Sequence, residues 1–374
     1  MERVKVSLIL PSQKSRFSNL YEVYTDLSSG LTRIGVESQI VWVRTDDKLR
    51  IPFGELIRTD GKERYPFGSA IEVDGSQLRT TLDELQREGS FIVGVDDYWF
   101  MNWLGDQHIR NLAIWAHYFY GHTFLFKRYR NAAGGLVRMA TGYLPNELAI
   151  RTARFYTRPM FLHPVFAQSL WTSMLLERFL TVSVKGVLYI PVEAKLYENA
   201  LRKEKSGILA FIGGPKDTDL SALDSTLKIM AQRNELIDFF GDEKFGLKFG
   251  EIYGWKMNFI GKVERTELIR NYAEHEVVIS PIFNGTFEMV PIQSLLSGTP
   301  VISFTQPFME VVGPSEMVAN INNPGEMRRK SSIWKCLDQD TVKRVKERIL
   351  EKMESSKVAR DLVTMLQDLF MREF

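Results

Sequence analysis

The sequence predicts an α/β protein built as two successive doubly wound units, and three observations carry that prediction. Strand-sized apolar runs alternate with segments of helical period along most of the chain, the pattern of parallel sheets with crossover helices. The 374 residues are too many for one ordinary domain and comfortable for two. The alternation is interrupted by a polar stretch rich in Lys and Glu, from Glu193 to Ser206, and then starts afresh.

In the first unit, Val4 to Leu10 reads as a strand closed by Pro11 and Ser12, and Leu20, Tyr24, Leu27, Leu31 and Ile34 mark one face of the helix that follows. Ile40 to Val43 is the second strand. Phe91 to Val95, Leu112 to Ala116, Val165 to Gln168 and Val187 to Ile190 are further strands, with a helix from Thr172 to Phe179 between the last two. In the second unit, Ile208 to Ile212 is a strand running into Gly213-Gly214-Pro215, and Leu220, Leu223, Leu227 and Met230 give the next helix its buried face. Strands at Leu236 to Phe240, Met257 to Ile260, Val277 to Ser280 and Val301 to Phe304 then accompany helices at Thr266 to Glu274 and Val290 to Leu296. The expected division is an N-terminal domain over residues 1–192, a linker over 193–206, a C-terminal domain over 207–340 and a helical tail over 341–374. The tail carries Val345, Ile349 and Met353 on one face and is expected to pack back on the N-terminal domain.

No segment offers the roughly 18 consecutive apolar residues that span a bilayer. Met1 leads directly into the charged, alternating Arg3, Val4, Lys5, Val6, unlike a secretory signal, so a cytoplasmic protein is expected. A single cysteine, Cys336, excludes an internal disulfide and a cysteine-rich zinc site. The net charge of +2 argues against a general nucleic-acid binder, but the charge is uneven. Between Phe124 and Phe161 the chain carries Lys127, Arg128, Arg130, Arg138, Arg151, Arg154 and Arg158 against one acid, Glu147, interleaved with Phe126, Tyr129, Tyr143, Phe155 and Tyr156. Two readings stand: a solvated helix pair with ordinary aromatic packing, or an anionic membrane surface bound peripherally at the inner face.

The stretch Asn258 to Ser303, NFIGKVERTELIRNYAEHEVVISPIFNGTFEMVPIQSLLSGTPVIS, resembles the donor-binding domain of family-4 retaining glycosyltransferases. The order of parts is the family's: a strand ending in Gly, a helix with an "E-L" start, a strand ending in Ser-Pro, a loop carrying Phe, a helix, and Gly-Thr-Pro-Val opening the next strand. Phe166 to Tyr197 is similar to the end of the family's N-terminal domain, where a Ser begins a helix and a strand runs into Ile-Pro. The resemblance implies the GT-B architecture, two Rossmann-like domains facing each other across a cleft. It also implies sugar transfer from a nucleotide diphosphate sugar to a sugar or lipid-linked acceptor with retention, with no metal and no further cofactor. The leaving diphosphate itself takes the acceptor's proton, so the protein mainly positions groups and stabilises charge.

The departures from the family pattern are specific. Where the family places two glutamates before the Gly-Thr-Pro-Val, this chain has Gly285 and Gln293. The resemblance gives the first position the donor sugar's hydroxyls and the second the ribose; Gln293 still offers an amide to a ribose. Glu288 is either a replacement sugar contact or an acid favoured by the helix dipole. The loop and helix start at Asn284, Gly285, Thr286, Phe287 and Glu288 form an anion site, because unpaired N–H groups at a helix N-terminus stabilise a diphosphate. The family's Arg after the glycine is missing from Gly213-Gly214-Pro215-Lys216, which leaves Lys216 as the catalytic cation, Gly214 as a donor-binding residue, and Lys262 and Arg265 as further basic residues that could reach the donor.

In the N-terminal domain the family brings a His close to the donor sugar, and His117, directly after the apolar strand in LAIWAHYFY, takes that position; His122 is a second choice, and Asp96-Asp97 is a similar strand-end site. SQKSRFSN after the first strand has none of the family's glycines. Asp217-Thr218-Asp219 spells the Asp-x-Asp of the metal-dependent GT-A architecture, which the second α/β unit disfavours. The alternative to an active transferase is a catalytically weak or inactive nucleotide-sugar-binding partner subunit. An epimerase shares the two-domain form, but its histidine and carboxylate constellation is not recognisable.

Overall fold

The computed structural model describes residues 4–12, 19–44, 64–65, 68–74, 77–96, 98–117, 157–198, 205–213, 218–261, 263–283, 287–304 and 307–371. The chain divides into two compact units, Met1–Val192 with Ser355–Phe374, and Glu193–Glu354.

In the first unit, β1 (Lys5–Ser12), α1 (Asn19–Arg33) and β2 (Glu37–Arg44) open the fold, followed by β3 (Arg64–Tyr65), β4 (Gly68–Asp74) and α2 (Leu78–Arg87). Then come β5 (Phe91–Val95), α3 (Tyr98–Leu104), β6 (Leu112–Ala116), β7 (Val165–Ala167), α4 (Leu170–Leu175) and β8 (Val184–Val187). The sheet order is β3-β4-β2-β1-β5-β6-β7-β8, parallel except at β3–β4. Every residue of β5, β6 and β7 is buried. Strands covered on both faces read as continuous apolar runs, which is why these three stand out in the sequence. Ser169 ends the turn after β7 and accepts from the Thr172 backbone N–H at 3.0 Å, capping α4.

The C-terminal helix Ser355–Phe370 completes this unit by packing on α1. Its apolar face, Val358, Ala359, Leu362 and Leu366, is buried, and Phe370 stacks on Phe91 with ring centres 5.9 Å apart. Close approach is possible because α1 presents Gly30, whose added Cβ would lie 2.1 Å from the Ser355 carbonyl oxygen. Arg33 Nη1 donates to Ser355 Oγ at 3.1 Å, and the Ser355 N–H donates to the Val192 carbonyl at 3.0 Å. The chain therefore leaves the first unit and re-enters it at adjoining residues.

The second unit runs through β9 (Ile208–Ile212), α5 (Leu220–Met230), β10 (Leu236–Gly241), α6 (Glu243–Tyr253), β11 (Lys256–Phe259), α7 (Arg265–Glu274) and β12 (Val277–Ser280). It continues with α8 (Met289–Leu296), β13 (Val301–Ser303), α9 (Met309–Val312), β14 (Val318–Asn320), α10 (Pro324–Trp334) and α11 (Gln339–Met353). Its all-parallel order, β11-β10-β9-β12-β13-β14, reverses direction between β9 and β12. At the carboxyl edge Gly241 has a φ of +110°, and a Cβ there would meet the Ile212 carbonyl oxygen at 2.2 Å, so only glycine fits.

Some sequence expectations shift. The apolar run Val187 to Ile190 is not a strand beyond Val187: Leu188 donates to the Ala167 carbonyl at 2.8 Å, and its own carbonyl accepts from Trp115 Nε1 at 2.9 Å. Beyond that last ladder bond, the burial of Leu188 and Ile190 explains the composition. The helix expected over Thr172 to Phe179 winds into a π turn over Leu176–Leu180, ending at Thr181 in left-handed conformation. The segment after 341 forms two helices: α11 lies in the second unit and the C-terminal helix in the first.

Candidate functional site

In open parallel sheets, ligands bind outside the carboxyl ends of the strands where the order reverses, because loops diverge there and leave a crevice. In the second unit that point lies between β9 and β12. Gly213 follows β9, and Ser280 ends β12, with Pro281 and Ile282 directly after it. Thr218 forms an antiparallel bridge with Ile282, and the Asp219 N–H donates to the Pro281 carbonyl at 2.8 Å, so the start of α5 is stitched to the end of β12. Asp219 then caps α5, accepting from the Ala222 N–H at 3.0 Å. Its carboxylate serves the helix, which is an ordinary reason for an acid at that place in Asp217-Thr218-Asp219.

Glu288 is the N-cap residue of α8, with extended backbone, and its Oε2 accepts from Ser280 Oγ at 3.0 Å. This bond holds a carboxylate at the strand end beside the positive end of the helix dipole, where negative charge is stabilised. Phe287 is buried directly before it. One turn into α8, Gln293 is only 7% exposed, and its Oε1 accepts from the Tyr272 hydroxyl at 3.2 Å. The other end of α8 is held by Lys205, whose Nζ donates to the Gly298 carbonyl at 2.6 Å and to Thr299 Oγ1 at 2.8 Å. Burial, with the Lys346 ammonium as a smaller cause, pushes Lys205 down to about 8. Arg265 opens α7 after β11, two strands from β9 along the same edge. Gly214, Lys216, Lys262, Asn284, Gly285 and Thr286 lie outside the described residues, as do Asp97 and His122.

In the first unit, three neighbouring strands each end in a buried polar residue: Asp96 after β5, His117 after β6 and Gln168 after β7. The His117 backbone N–H donates to Asp96 Oδ1 at 2.7 Å, and the Gln168 amide donates to the His117 carbonyl. The imidazole packs against Trp115, with ring centres 4.3 Å apart, and against Tyr24 at 6.0 Å. Burial pushes its pKa from 6.5 down to about 3, opposed by a hydrogen bond with Gln168, so it is neutral at physiological pH. Of the basic, aromatic block, residues 124–156 lie outside the described residues; at its end Arg158 pairs at 3.8 Å with Asp106, and Phe161 is 54% exposed.

No protein-family model and no curated protein matches this chain. Solved structures do match over the whole length. Sucrose-phosphate synthase from Thermosynechococcus elongatus aligns with a TM-score of 0.68 at 15% identity, covering 99% of this chain and 100% of that one. The catalytic domain of starch synthase IV from Arabidopsis thaliana, bound to ADP and acarbose, aligns with a TM-score of 0.60 at 11% identity, covering 99% and 100%. An α,α-trehalose-phosphate synthase (UDP-forming) from Burkholderia vietnamiensis aligns with a TM-score of 0.59 at 10% identity, covering 100% of both chains. The fold is GT-B.

Within this GT-B chain the structure joins Glu288 to Ser280 and Gln293 to Tyr272, two partners that the sequence did not single out for the site. Ser280 was legible as the last residue of an apolar strand before a proline, a place that puts a hydroxyl at the carboxyl edge. Tyr272 carries no such signal, because its position on the buried stripe of α7 reads as core. Among the described residues no group of three or more His, Cys, Asp and Glu is placed to hold a metal ion, and no helix is long and apolar enough to cross a membrane.

Proposed function

We propose that this protein is a glycosyltransferase that moves a sugar from a nucleoside diphosphate sugar to an acceptor, with retention and without a metal. The observation that carries the reading is the carboxyl edge of the second unit. The reversal between β9 and β12 gathers a strand-end hydroxyl, a carboxylate and the N-terminus of α8 where a diphosphate and a polyhydroxylated sugar find complementary groups. The UDP-forming and ADP-bound proteins of the same fold support a nucleotide donor. Lys216, Lys262 and Arg265 supply cations for the departing diphosphate; Asn284, Gly285, Thr286 and Phe287, with Gly214, line its approach; and Gln293 meets the ribose. Glu288 accepts from the donor sugar's hydroxyls, and His117 acts on the sugar as a neutral imidazole.

Release of nucleoside diphosphate from a panel of UDP- and ADP-sugars tests the reading, with the anomeric configuration of the product followed by NMR. Replacing a charged acceptor leaves a sugar hydroxyl without its partner, which costs about 1.5–3 kcal/mol. Glu288→Ala is therefore expected to lower kcat/KM by about 10- to 100-fold. Unchanged kinetics remove Glu288 from the site, and inversion at the anomeric carbon refutes retention.

A second reading is a nucleotide-sugar-binding partner subunit with little or no turnover. Gln293 and Gly285 favour it, because they stand where carboxylates are expected and the Gln293 amide is already engaged by Tyr272. Tight binding of a donor without transfer or slow hydrolysis decides for it.

The acceptor in this proposal is a lipid or lipid-linked sugar at the inner membrane face, reached from the cytoplasm through residues 124–161. Each cation near an anionic leaflet contributes about 1 kcal/mol, and the exposed Phe161 and Leu162 add apolar contact. Co-sedimentation with anionic but not neutral vesicles at low salt, lost at high salt, is the expected result; binding to neither leaves a soluble acceptor.

A further inference from the structure

Thr218 stands apart from the other polar residues at the carboxyl edge of the second unit. Its side chain is buried, 6% exposed, and among the described residues Oγ1 has no hydrogen-bond partner. Its neighbours are satisfied: Ser280 and Glu288 bond to each other, and Asp219 holds the start of α5. The backbone around Thr218 is fixed twice, by the bridge to Ile282 and by the Asp219 N–H on the Pro281 carbonyl at 2.8 Å. The hydroxyl therefore cannot be carried to a distant partner by a local shift. Buried hydroxyls are almost always paired, since an unpaired one gives up its water without return. A valine has the same shape and fits the same place without that cost. Thr218 also lies past the end of β9 and is bridged to Ile282 after β12, where the sheet order reverses and an outside molecule is expected.

We propose that the missing partner of Thr218 Oγ1 is a phosphoryl oxygen of the donor's diphosphate, to which the hydroxyl donates; the inference rests on the donor reading above and adds a residue to it. An anionic oxygen is the strongest acceptor for a buried O–H, and a bond to it is worth about twice one between neutral groups. Asp219 follows directly in sequence, but its carboxylate is turned to the Ala222 N–H. Thr218 is thus a binding residue for the diphosphate, distinct from groups that would act on the sugar.

Isothermal titration of the full-length protein with UDP, ADP and inorganic pyrophosphate tests this, comparing wild type with Thr218→Val and Thr218→Ser. Thr218→Val is expected to weaken the nucleoside diphosphate that wild type binds best by about tenfold. Its unfolding midpoint without ligand should stay equal or rise, because the substitution removes only an unpaired hydroxyl. Thr218→Ser, which keeps the hydroxyl, should hold affinity near the wild-type value. Equal affinity of Thr218→Val and wild type overturns the inference alone, as does a midpoint lowered by several degrees, which would mean that the hydroxyl has a partner within the protein. Wild type that binds none of the three probes overturns the donor reading, and this inference with it.

Discussion

Lowering the pH from 7 to 5 is expected to destabilise the first unit by about 2 kcal/mol through His117 alone. The folded imidazole titrates near 3 while the unfolded one titrates near 6.5. Between those values the unfolded chain binds a proton that the folded chain refuses, so stability rises with pH across this window and is lost as pH falls through it. The full loss, reached only below about pH 3, is on the order of 5 kcal/mol. His117→Gln does not titrate and keeps a polar side chain beside Gln168. Its denaturant midpoint at pH 5, relative to pH 7, should fall less than that of wild type. Parallel pH dependence of the two proteins would show that the imidazole is hydrated in the folded state and that its contacts with Trp115 and Tyr24 do not seal it.

The second large effect is expected at Gly30. An alanine Cβ there would lie 2.1 Å from the Ser355 carbonyl oxygen and 2.5 Å from its carbon, both backbone atoms that cannot rotate away. Gly30→Val must push the C-terminal helix off α1 or unwind its first turn, which also breaks the Arg33–Ser355 bond and loosens the Phe370–Phe91 stack. A cost of about 3 kcal/mol or more follows from overpacking against rigid neighbours. Gly325→Ala in α10 is the control, since its nearest neighbour would lie at an ordinary 3.6 Å; helix propensity makes that change neutral or slightly stabilising. Limited proteolysis that releases the C-terminal helix in Gly30→Val but not in Gly325→Ala checks the prediction. An unshifted midpoint would mean that the two helices have room to part.

Much of the fold was legible because its central strands are buried on both faces. Phe91 to Val95, Leu112 to Ala116, Ile208 to Ile212 and Val277 to Ser280 have the sequence bounds of the strands themselves. What escaped is what does not depend on continuous apolarity. β4, GSAIEVD, mixes small, charged and apolar residues, and α10, PGEMRRKSSIW, buries little beyond Met327 and Lys330. The run after Val187 misled because apolar composition records burial and says nothing about whether a backbone pairs in a ladder. The site divides in the same way. Glu288 was visible as an acid at a helix start, whereas its bond to Ser280 joins two elements across a loop, and the Thr218 hydroxyl, unpaired among the described residues, is a property of surroundings that no local pattern encodes.

The seam at which the Ser355 N–H meets the Val192 carbonyl has a meaning for how such a chain arises and can be rebuilt. Residues Glu193–Glu354 enter and leave through neighbouring points, as a guest does in an insertion. The host's last helix is laid on α1 after the guest is finished, so during synthesis the first unit lacks a face of its core until the ribosome has made the whole of the second. A truncated chain ending inside α11 would leave Gly30 and the apolar surface around it open to water, the kind of exposed patch that quality control recognises. Grafting a different module at the seam, by contrast, asks only that its two ends come together.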